Sequence, residues 1–223
     1  MRSKSLTIVF LFISTLTFIL GCWQLYRLEW KNNLIENINS SIQNPEFYNI
    51  KFDEYNELTS VKLDNNFKIS DNPIFIESKT FQSKVGFHAI TPLYLNEKIY
   101  SVLNLGWLPD KNIKNVIELV SLFNEKNGVD VYIRYLNSNK SAFIPENNIK
   151  DNTWFSVNKK DIETYYQEKI DSNYYFVLLD SDIKSEINPL VYLRNNHLNY
   201  SITWFLLSIS SIVMLLIIRK KNG

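Results

Sequence analysis

Histidine and cysteine are scarce in this chain of 223 residues, which limits the chemistry that it can carry out. There are two histidines, His88 and His197, and one cysteine, Cys22. One thiol cannot form an internal disulfide, and the set is too small for a zinc site built from Cys and His. A copper carrier, which needs paired soft sulfur ligands, is also disfavoured.

The sequence contains no motif that positions a nucleophile, a phosphate or a catalytic zinc ion. Only five glycines are present, which nearly excludes glycine-rich cofactor loops. The carboxylates are numerous but scattered, and we interpret Asp180 and Asp182 as part of a solvated loop. His88 lies within a predicted strand, where a surface or partly buried histidine is the simpler interpretation. We therefore expect no catalytic residue and no enzymatic activity.

His197 differs from His88 in its position along the chain. Residues 194–200 lead directly into an apolar stretch, so the imidazole lies within about one helical turn of a membrane interface. A neutral imidazole is a common axial ligand of haem iron, and an aromatic, half-apolar environment suits a porphyrin. Alternatively, His197 is an interfacial residue that caps or hydrogen-bonds neighbouring backbone. The residues alone leave both interpretations open.

Two apolar stretches, one at each end of the chain, would position His197. The first runs from Leu6 to Gln24 and the second from Ser201 to Ile218. About 20 apolar residues in a helix are enough to cross the hydrocarbon core of a bilayer. We predict transmembrane helices over residues 6–24 and 200–218, with the hydroxyls of Ser14 and the threonines bonded back into the helix.

The flanking charges predict the orientation of both helices. Basic residues without neighbouring acids lie within residues 2–4 and 219–221, whereas the inner flanks carry both signs. The positive-inside rule therefore places residues 1–5 and 219–223 in the cytoplasm and residues 25–199 on the other side. Five aromatic residues at the inner ends of the stretches fit an interfacial belt: Trp23, Tyr26, Trp30, Tyr200 and Trp204.

Other interpretations of the N-terminus are weaker. A cleaved signal peptide would end its apolar region sooner, at small residues. Residues 19–22 resemble a lipoprotein cleavage box, after which Cys22 would be lipidated, but a helical pattern follows where a flexible polar tether would be expected. No Arg- and Ser-rich presequence precedes the first stretch, so a bacterial inner membrane is favoured over the mitochondrial one.

The middle of the chain shows mainly the patterns of strands. The first helix should continue to about Ile38, before Asn44-Pro45 ends it. Strands are predicted at residues 59–64, 73–79, 87–95, 99–105, 129–136 and 174–179, and helices at residues 111–126 and 159–170, the second capped by Asn158. We predict an α+β membrane protein in which two terminal transmembrane helices flank a mainly antiparallel β domain, curled into a partial barrel, with a few helices.

Charge and topology restrict the partners. The net charge is +1, from 24 basic and 23 acidic residues, which offers no basic surface for nucleic acid. The lipid bilayer is the partner that the composition predicts. A two-helix membrane sensor or scaffold with an extracytoplasmic ligand-binding domain would share this topology, but the short cytoplasmic tails leave little to transmit a signal.

Four segments carry a family resemblance: residues 21–31, 86–93, 104–109 and 195–205. In this order they resemble the Surfeit locus protein 1 family of cytochrome c oxidase assembly factors, and the resemblance covers the whole chain. The first and last segments are the most specific. Leu105 departs from the family pattern, which usually has Arg there, and Asn65-Asn66 stand where Gly is common. The first departure removes a cation that could contact a partner or a haem propionate.

The resemblance implies a non-enzymatic helper in the maturation of haem–copper oxidase, with oxidase subunit I and other assembly factors as partners. It further implies that His197 is a transient axial ligand of haem a, with Arg27 pairing a propionate through charge-assisted hydrogen bonds. Four other residues would shape the niche, and each has a simpler role in interfacial anchoring or helix packing: Trp23, Gln24, Tyr200 and Trp204.

Overall fold

The computed structural model describes residues 2–51, 54–136, 144–180, 183 and 193–222. The chain forms two compact units, a helix pair (Met1–Asn37 with Leu190–Gly223) and a β-rich domain (Ile38–Pro189). The helices among these described residues are α1 (Arg2–Gln43), α2 (Ile113–Glu125), α3 (Lys159–Tyr166) and α4 (His197–Asn222). The predicted α+β class, with two candidate membrane helices at the chain ends, is confirmed.

Helices α1 and α4 each contain an apolar segment long enough to cross a membrane, within Ser5–Gln43 and His197–Lys220. Many of their large apolar side chains are exposed, for example Phe12 at 67% and Leu216 at 59%. Such contiguous apolar surface is typical of contact with lipid, and the chain is a membrane protein. The 42 residues of α1 correspond to about 60 Å of helix, twice the roughly 30 Å of hydrocarbon. Helix α1 therefore extends beyond the bilayer, as predicted.

The two long helices pack antiparallel along a seam of small and polar residues. Ser14 Oγ lies 3.0 Å from Ser208 Oγ, and Ser201 Oγ donates to the carbonyl of Gly21 at 3.1 Å. A Cβ atom on Gly21 would lie 2.6 Å from the ring of Phe205, so the missing side chain permits the close approach. Small residues and interhelical hydrogen bonds commonly hold membrane helices together.

The expectation that hydroxyl groups of the first stretch bond back into the helix is confirmed for Thr17 but was wrong for Ser14, whose hydroxyl bonds across to Ser208. Thr17 Oγ1 donates to the carbonyl of Ile13 at 2.9 Å, so its polar group is satisfied without water.

In the part of the domain that the structure describes, eight strands form one sheet. They are β1 (Glu46–Phe47), β2 (Ser60–Asp64), β3 (Phe67–Ile69), β4 (Ile74–Phe81), β5 (Lys84–Leu95), β6 (Lys98–Leu108), β7 (Gly128–Tyr135) and β8 (Tyr174–Leu178). The six predicted strands correspond to β2 and β4–β8. The short strands β1 and β3 were not predicted, because two or three residues carry too little alternation to be recognised.

The sheet is mainly antiparallel but mixed. Its order is β1-β2-β7-β8-β6-β5-β3, and β4 pairs with β5 beside β3. The pairs β1/β2 and β6/β8 are parallel, and the other pairs are antiparallel. The order begins at β1 and ends at β3, and no closure into a barrel is seen among the described strands.

Apolar side chains alternate between the two faces of the sheet. On β5, Ala89 and Leu93 join a first cluster with α2, whereas Ile90 joins a second cluster with α3. The second cluster contains the fully buried Trp154, from the loop before α3, which the sequence pattern did not single out. Side chains of a strand point to opposite faces in turn, so both faces of this sheet are covered.

The two domain helices match their predicted positions with differences at the ends. In α2, Val116, Val120 and Phe123 are buried, whereas Ile113 and Ile117 are exposed. Helix α3 begins after the predicted cap, with Asn158 Oδ1 accepting the N–H of Asp161 at 3.3 Å. It ends at Tyr166 instead of continuing to residue 170, because the next residue adopts the left-handed conformation.

Strand β3 lies at one end of the sheet order, and its backbone bonds to a side chain of α2. The N–H of Ile69 donates to Asn124 Oδ1 at 3.0 Å, and Asn124 Nδ2 donates to the carbonyl of Ile69 at 2.9 Å. Lys68 Nζ adds a bond to the Asn124 carbonyl at 2.7 Å. One amide therefore satisfies both backbone groups of an end-strand residue.

The expectation of a solvated loop at Asp180 was wrong. Asp180 is buried, and Lys126 Nζ donates to its two carboxylate oxygens at 2.6 and 2.7 Å. Because Lys126 is the C-cap of α2, the ion pair fastens that helix end to the segment after β8. The two residues are 54 positions apart in the sequence, so no local pattern indicates their contact. Asp182 lies outside the described residues.

Leu105 occupies an irregularity in β6. Ala89 of β5 is opposite Gly106, while Ile90 is opposite Asn104, which leaves Leu105 as an extra residue. Such β-bulges are often followed by a glycine with positive φ, and Gly106 has φ 107°. Leu105 is 3% exposed within the first cluster, so the departure from the family pattern places an apolar side chain in the core.

We predict that Gly21→Leu separates α1 from α4, because the new side chain would occupy the position of the Phe205 ring. The measurement is disulfide formation between cysteines placed at Ser14 and Ser208, in a Cys22→Ser background and in detergent. Oxidation should cross-link the helices efficiently, and Gly21→Leu should abolish most of the product. A control pair at Leu16, which is exposed, and Ser208 should give little product. Equal cross-linking with Leu at position 21 would contradict the claim that α1 and α4 approach closely at Gly21.

We predict that Glu97→Gly stabilises the protein. The turn between β5 and β6 consists of Asn96 and Glu97, with φ of 50° and 66°, which is the hairpin turn that favours glycine. Removing the side chain at position 97 should raise the free energy of unfolding by about 0.5–1 kcal/mol. Unfolding in detergent measures this change. Lys98→Gly, within the extended strand β6, is the control and should lower stability.

Candidate functional site

The candidate site lies where α4 begins beside α1. His197 is the first residue of α4, and its Nδ1 lies 2.7 Å from Oε1 of Gln24. A carbonyl oxygen can only accept, so Nδ1–H is the donor of this bond. The lone pair of the imidazole then lies on Nε2. Gln24 is buried, and His197 is half-buried.

The helix seam determines the register of this contact. On α4, Ser201 is one turn beyond His197 and bonds to Gly21, which is one turn before Gln24 on α1. On the other side of the contact, Asn195 Nδ2 donates to Oδ1 of Asn32 at 2.9 Å. Polar bonds from α4 and from the segment just before it therefore flank the Gln24–His197 pair on both sides.

Arg27 lies one turn beyond Gln24 on α1. Its guanidinium carbon is 4.2 Å from the centroid of the Trp30 ring, in a cation–π contact. Arg27 is half-buried, and its guanidinium lies over the ring of Trp30. Arginine presents several donors in a planar fork, which suits a carboxylate such as a propionate.

The predicted aromatic residues lie near the pair along each helix but do not enclose it. Trp23 and Tyr200 are 51% and 55% exposed, and Trp204 is half-buried. Trp23 is adjacent to Gln24, while Tyr200 and Trp204 follow His197 by about one and two helical turns. Gln24 and His197 are thus in direct contact, and the three aromatic side chains offer open surface around them.

The residues at this site fit a haem better than a bare metal ion. Among the described residues, no three His, Cys, Asp or Glu side chains converge on a metal position. A haem supplies four of its own iron ligands and needs only an axial one from the protein. Hydrogen bonding of Nδ1 to a carbonyl orients an imidazole and leaves Nε2 for the metal. The bond between His197 and Gln24 is of this kind.

Sequence reasoning missed the residues that hold the pair in register. Gly21, Ser201, Asn195 and Asn32 were not singled out as site residues, although three of them lie in recognised segments. A signal was present, because small or polar residues recur in the apolar first stretch at helical spacing: Ser14, Thr17, Gly21 and Gln24. That spacing marks one face of α1 as the face for a partner helix.

The chain is similar to several known proteins over most of its length. The model of the SURF1 family matches residues 11–209. A SURF1-like protein of Rickettsia conorii is 27% identical over 216 residues, covering 93% of this chain and 88% of that protein. A SURF1-like protein of Dictyostelium discoideum is 27% identical, with 94% of each chain covered. Surfeit locus protein 1 of Gallus gallus is 27% identical over 87% of this chain and 69% of that protein.

We predict that Gln24→Leu changes the tautomer of His197. With Gln24 as acceptor, His197 carries its proton on Nδ1; without it, Nε2–H becomes favoured. Nitrogen-15 spectra of histidine-labelled protein in detergent at alkaline pH measure this change, because the chain has only two histidines. Gln24→Glu, which keeps an acceptor oxygen, should retain Nδ1–H. An unchanged His197 spectrum in Gln24→Leu would contradict the contact.

Proposed function

The chain belongs to the SURF1 family, and from this premise we propose that it is a non-enzymatic assembly factor for cytochrome c oxidase. The oxidase role rests on the resemblance of its four segments to that family of assembly factors. The structural observation that supports it is the contact between Gln24 and His197 at 2.7 Å. This contact prepares one nitrogen of a half-buried imidazole to bind a ligand.

In this proposal, haem a is the cargo. A bound haem supplies an iron centre that accepts one protein ligand at an axial position, and Nε2 of His197 is that ligand. Gln24 orients the imidazole by accepting the proton of Nδ1. Arg27 provides a cation for a propionate, and three aromatic rings offer apolar contact: Trp23, Tyr200 and Trp204.

The protein acts in the inner membrane of a bacterium, with both chain termini in the cytoplasm. The support is the charge pattern, since Arg2, Lys4, Arg219 and Lys220 lie outside the apolar segments without acidic neighbours. The domain then lies outside the cytoplasm, where it contacts oxidase subunit I and other assembly factors. Holding haem a beside subunit I would protect the cofactor from water until it is inserted.

Deletion of the gene should lower both the oxidase activity and the haem a absorbance of the membranes, and the wild-type gene should restore them. Purified protein from haem a-producing cells should show a Soret band and co-purify with oxidase subunits. His197→Ala should remove most of the band, because the axial ligand is lost. Gln24→Leu should weaken haem binding by about tenfold, as is usual for a residue that orients a ligand.

Asn199→Ala is the matched control, since Asn199 is exposed in the same turn of α4 as His197. It should leave the Soret band unchanged. Normal oxidase activity and haem a absorbance in the deletion strain would contradict the assembly role. An unchanged band in His197→Ala would exclude His197 as the ligand while leaving the assembly role intact. Co-purification with a signalling kinase instead of oxidase subunits would favour a membrane sensor.

A further inference from the structure

Two of the recognised segments lie in the domain and have no part in the haem site, yet the sheet brings them together. His88 of β5 is opposite Trp107 of β6. Asn104 Nδ2 lies 3.2 Å from His88 Nδ1, and Asn104 Oδ1 accepts the N–H of Gly106 at 2.9 Å. The second bond fixes which end of the buried Asn104 amide faces His88. Nδ1 of His88 therefore accepts, and its proton lies on Nε2.

A bulge in β4 brings Lys79 near His88 and Trp107. The register between β4 and β5 shifts between Ile76 and Lys79, and Ser78 in this interval has φ 55°. Bulges re-aim side chains and are frequent beside functional sites. The indole N–H of Trp107 donates to the carbonyl of Lys79 at 3.1 Å, which ties the bulged segment to β6.

Lys79 is half-buried, and the described part of the chain provides no carboxylate to balance its charge. Burial lowers the pKa of its ammonium group. Among the described residues, no acid lies within salt-bridge distance of Lys79. The nearest acid in sequence, Glu77, is already paired with Lys111. A half-buried cation without a counter-ion is unfavourable unless something else supplies the charge.

His88 adds a neutral donor beside this cation. Burial, and then the charge of Lys79, lower the pKa of His88 to about 4. The ring is therefore neutral at physiological pH, with Nε2–H as a donor and no free acceptor. Lys79 and His88 thus offer two hydrogen-bond donors, an ammonium group and an imidazole N–H. An anion with two acceptor oxygens would satisfy both donors.

Aromatic rings line the approach to these donors. The rings of Phe81 and Trp107 have centroids 5.6 Å apart and are both half-buried. They offer apolar surface for the carbon chain that bears the anion. We propose that Lys79, His88, Phe81 and Trp107 form a binding site for a carboxylate carried on an apolar stem. This site is in the β-rich domain, and its existence does not depend on the haem-related role of the helix pair.

Histidine-labelled full-length protein in an uncharged detergent provides the test, with butyrate as the probe. The ring signals of His88 should shift saturably with butyrate, whereas butyramide, which has a similar shape but no charge, should have little effect. His197 supplies an internal reference that should not respond. Lys79→Met should weaken butyrate binding by about tenfold or more, since a hydrogen bond to a charged group is lost.

Lys79→Arg keeps the cation and should retain binding, and Lys84→Met, at the exposed lysine that begins β5, should also retain it. Retained butyrate binding in Lys79→Met would overturn the proposal, as would an equal response to butyramide or an absence of saturation. An equal response to inorganic phosphate would overturn the proposed specificity for a carboxylate, because the site would then bind anions in general. In Lys79→Met the pKa of His88 should rise because the charge of Lys79 is removed, but it should stay below 6.5 because the ring remains buried. A pKa in this range shows that the variant is folded.

Discussion

The close approach of α1 and α4 at Gly21 is the constraint on which the candidate site depends. Where Phe205 crosses Gly21, a side chain on α1 would hold the helices apart. With the helices in contact, hydroxyl groups bond across the seam, and water is not available there to replace them. Those bonds fix one register, and in that register the first residue of α4 meets Gln24. The chemistry of His197 is therefore set by a glycine one turn away on the other helix.

The terminal helices could be predicted from sequence because their signal is one of composition and length. Apolar runs and flanking charges are local, and a membrane gives them a direct physical meaning. His197, Gln24 and Arg27 were found through their place beside those runs and through the family resemblance. The direct bond between Gln24 and His197 was not foreseeable, since it joins residues 173 positions apart. Trp23 and Tyr200 proved more exposed than a closed niche would require.

In the domain, the alternation of apolar and polar residues predicted the long strands. Features that depend on tertiary contacts could not be predicted from the sequence. Asp180 looked like a loop residue because its partner, Lys126, is distant in the sequence. Trp154 lies in a short irregular segment, so nothing in its sequence surroundings indicates that it belongs to a core cluster. His88 was read as a structural histidine, and the structure keeps it in the sheet. What the sequence could not show is that Asn104 fixes its tautomer and that Lys79 arrives beside it through a bulge.

The bond between Asn124 and Ile69 bears on how this domain behaves among other proteins. A strand at the end of a sheet exposes backbone groups that another chain can extend into an intermolecular sheet. At Ile69 both groups are already occupied, because the amide of Asn124 takes the place that a neighbouring strand would fill. Helix α2, whose apolar face packs in the first core cluster, thus blocks one route to aggregation. For a domain concentrated at a membrane surface, such protection favours contacts made through side chains over contacts made by adding strands.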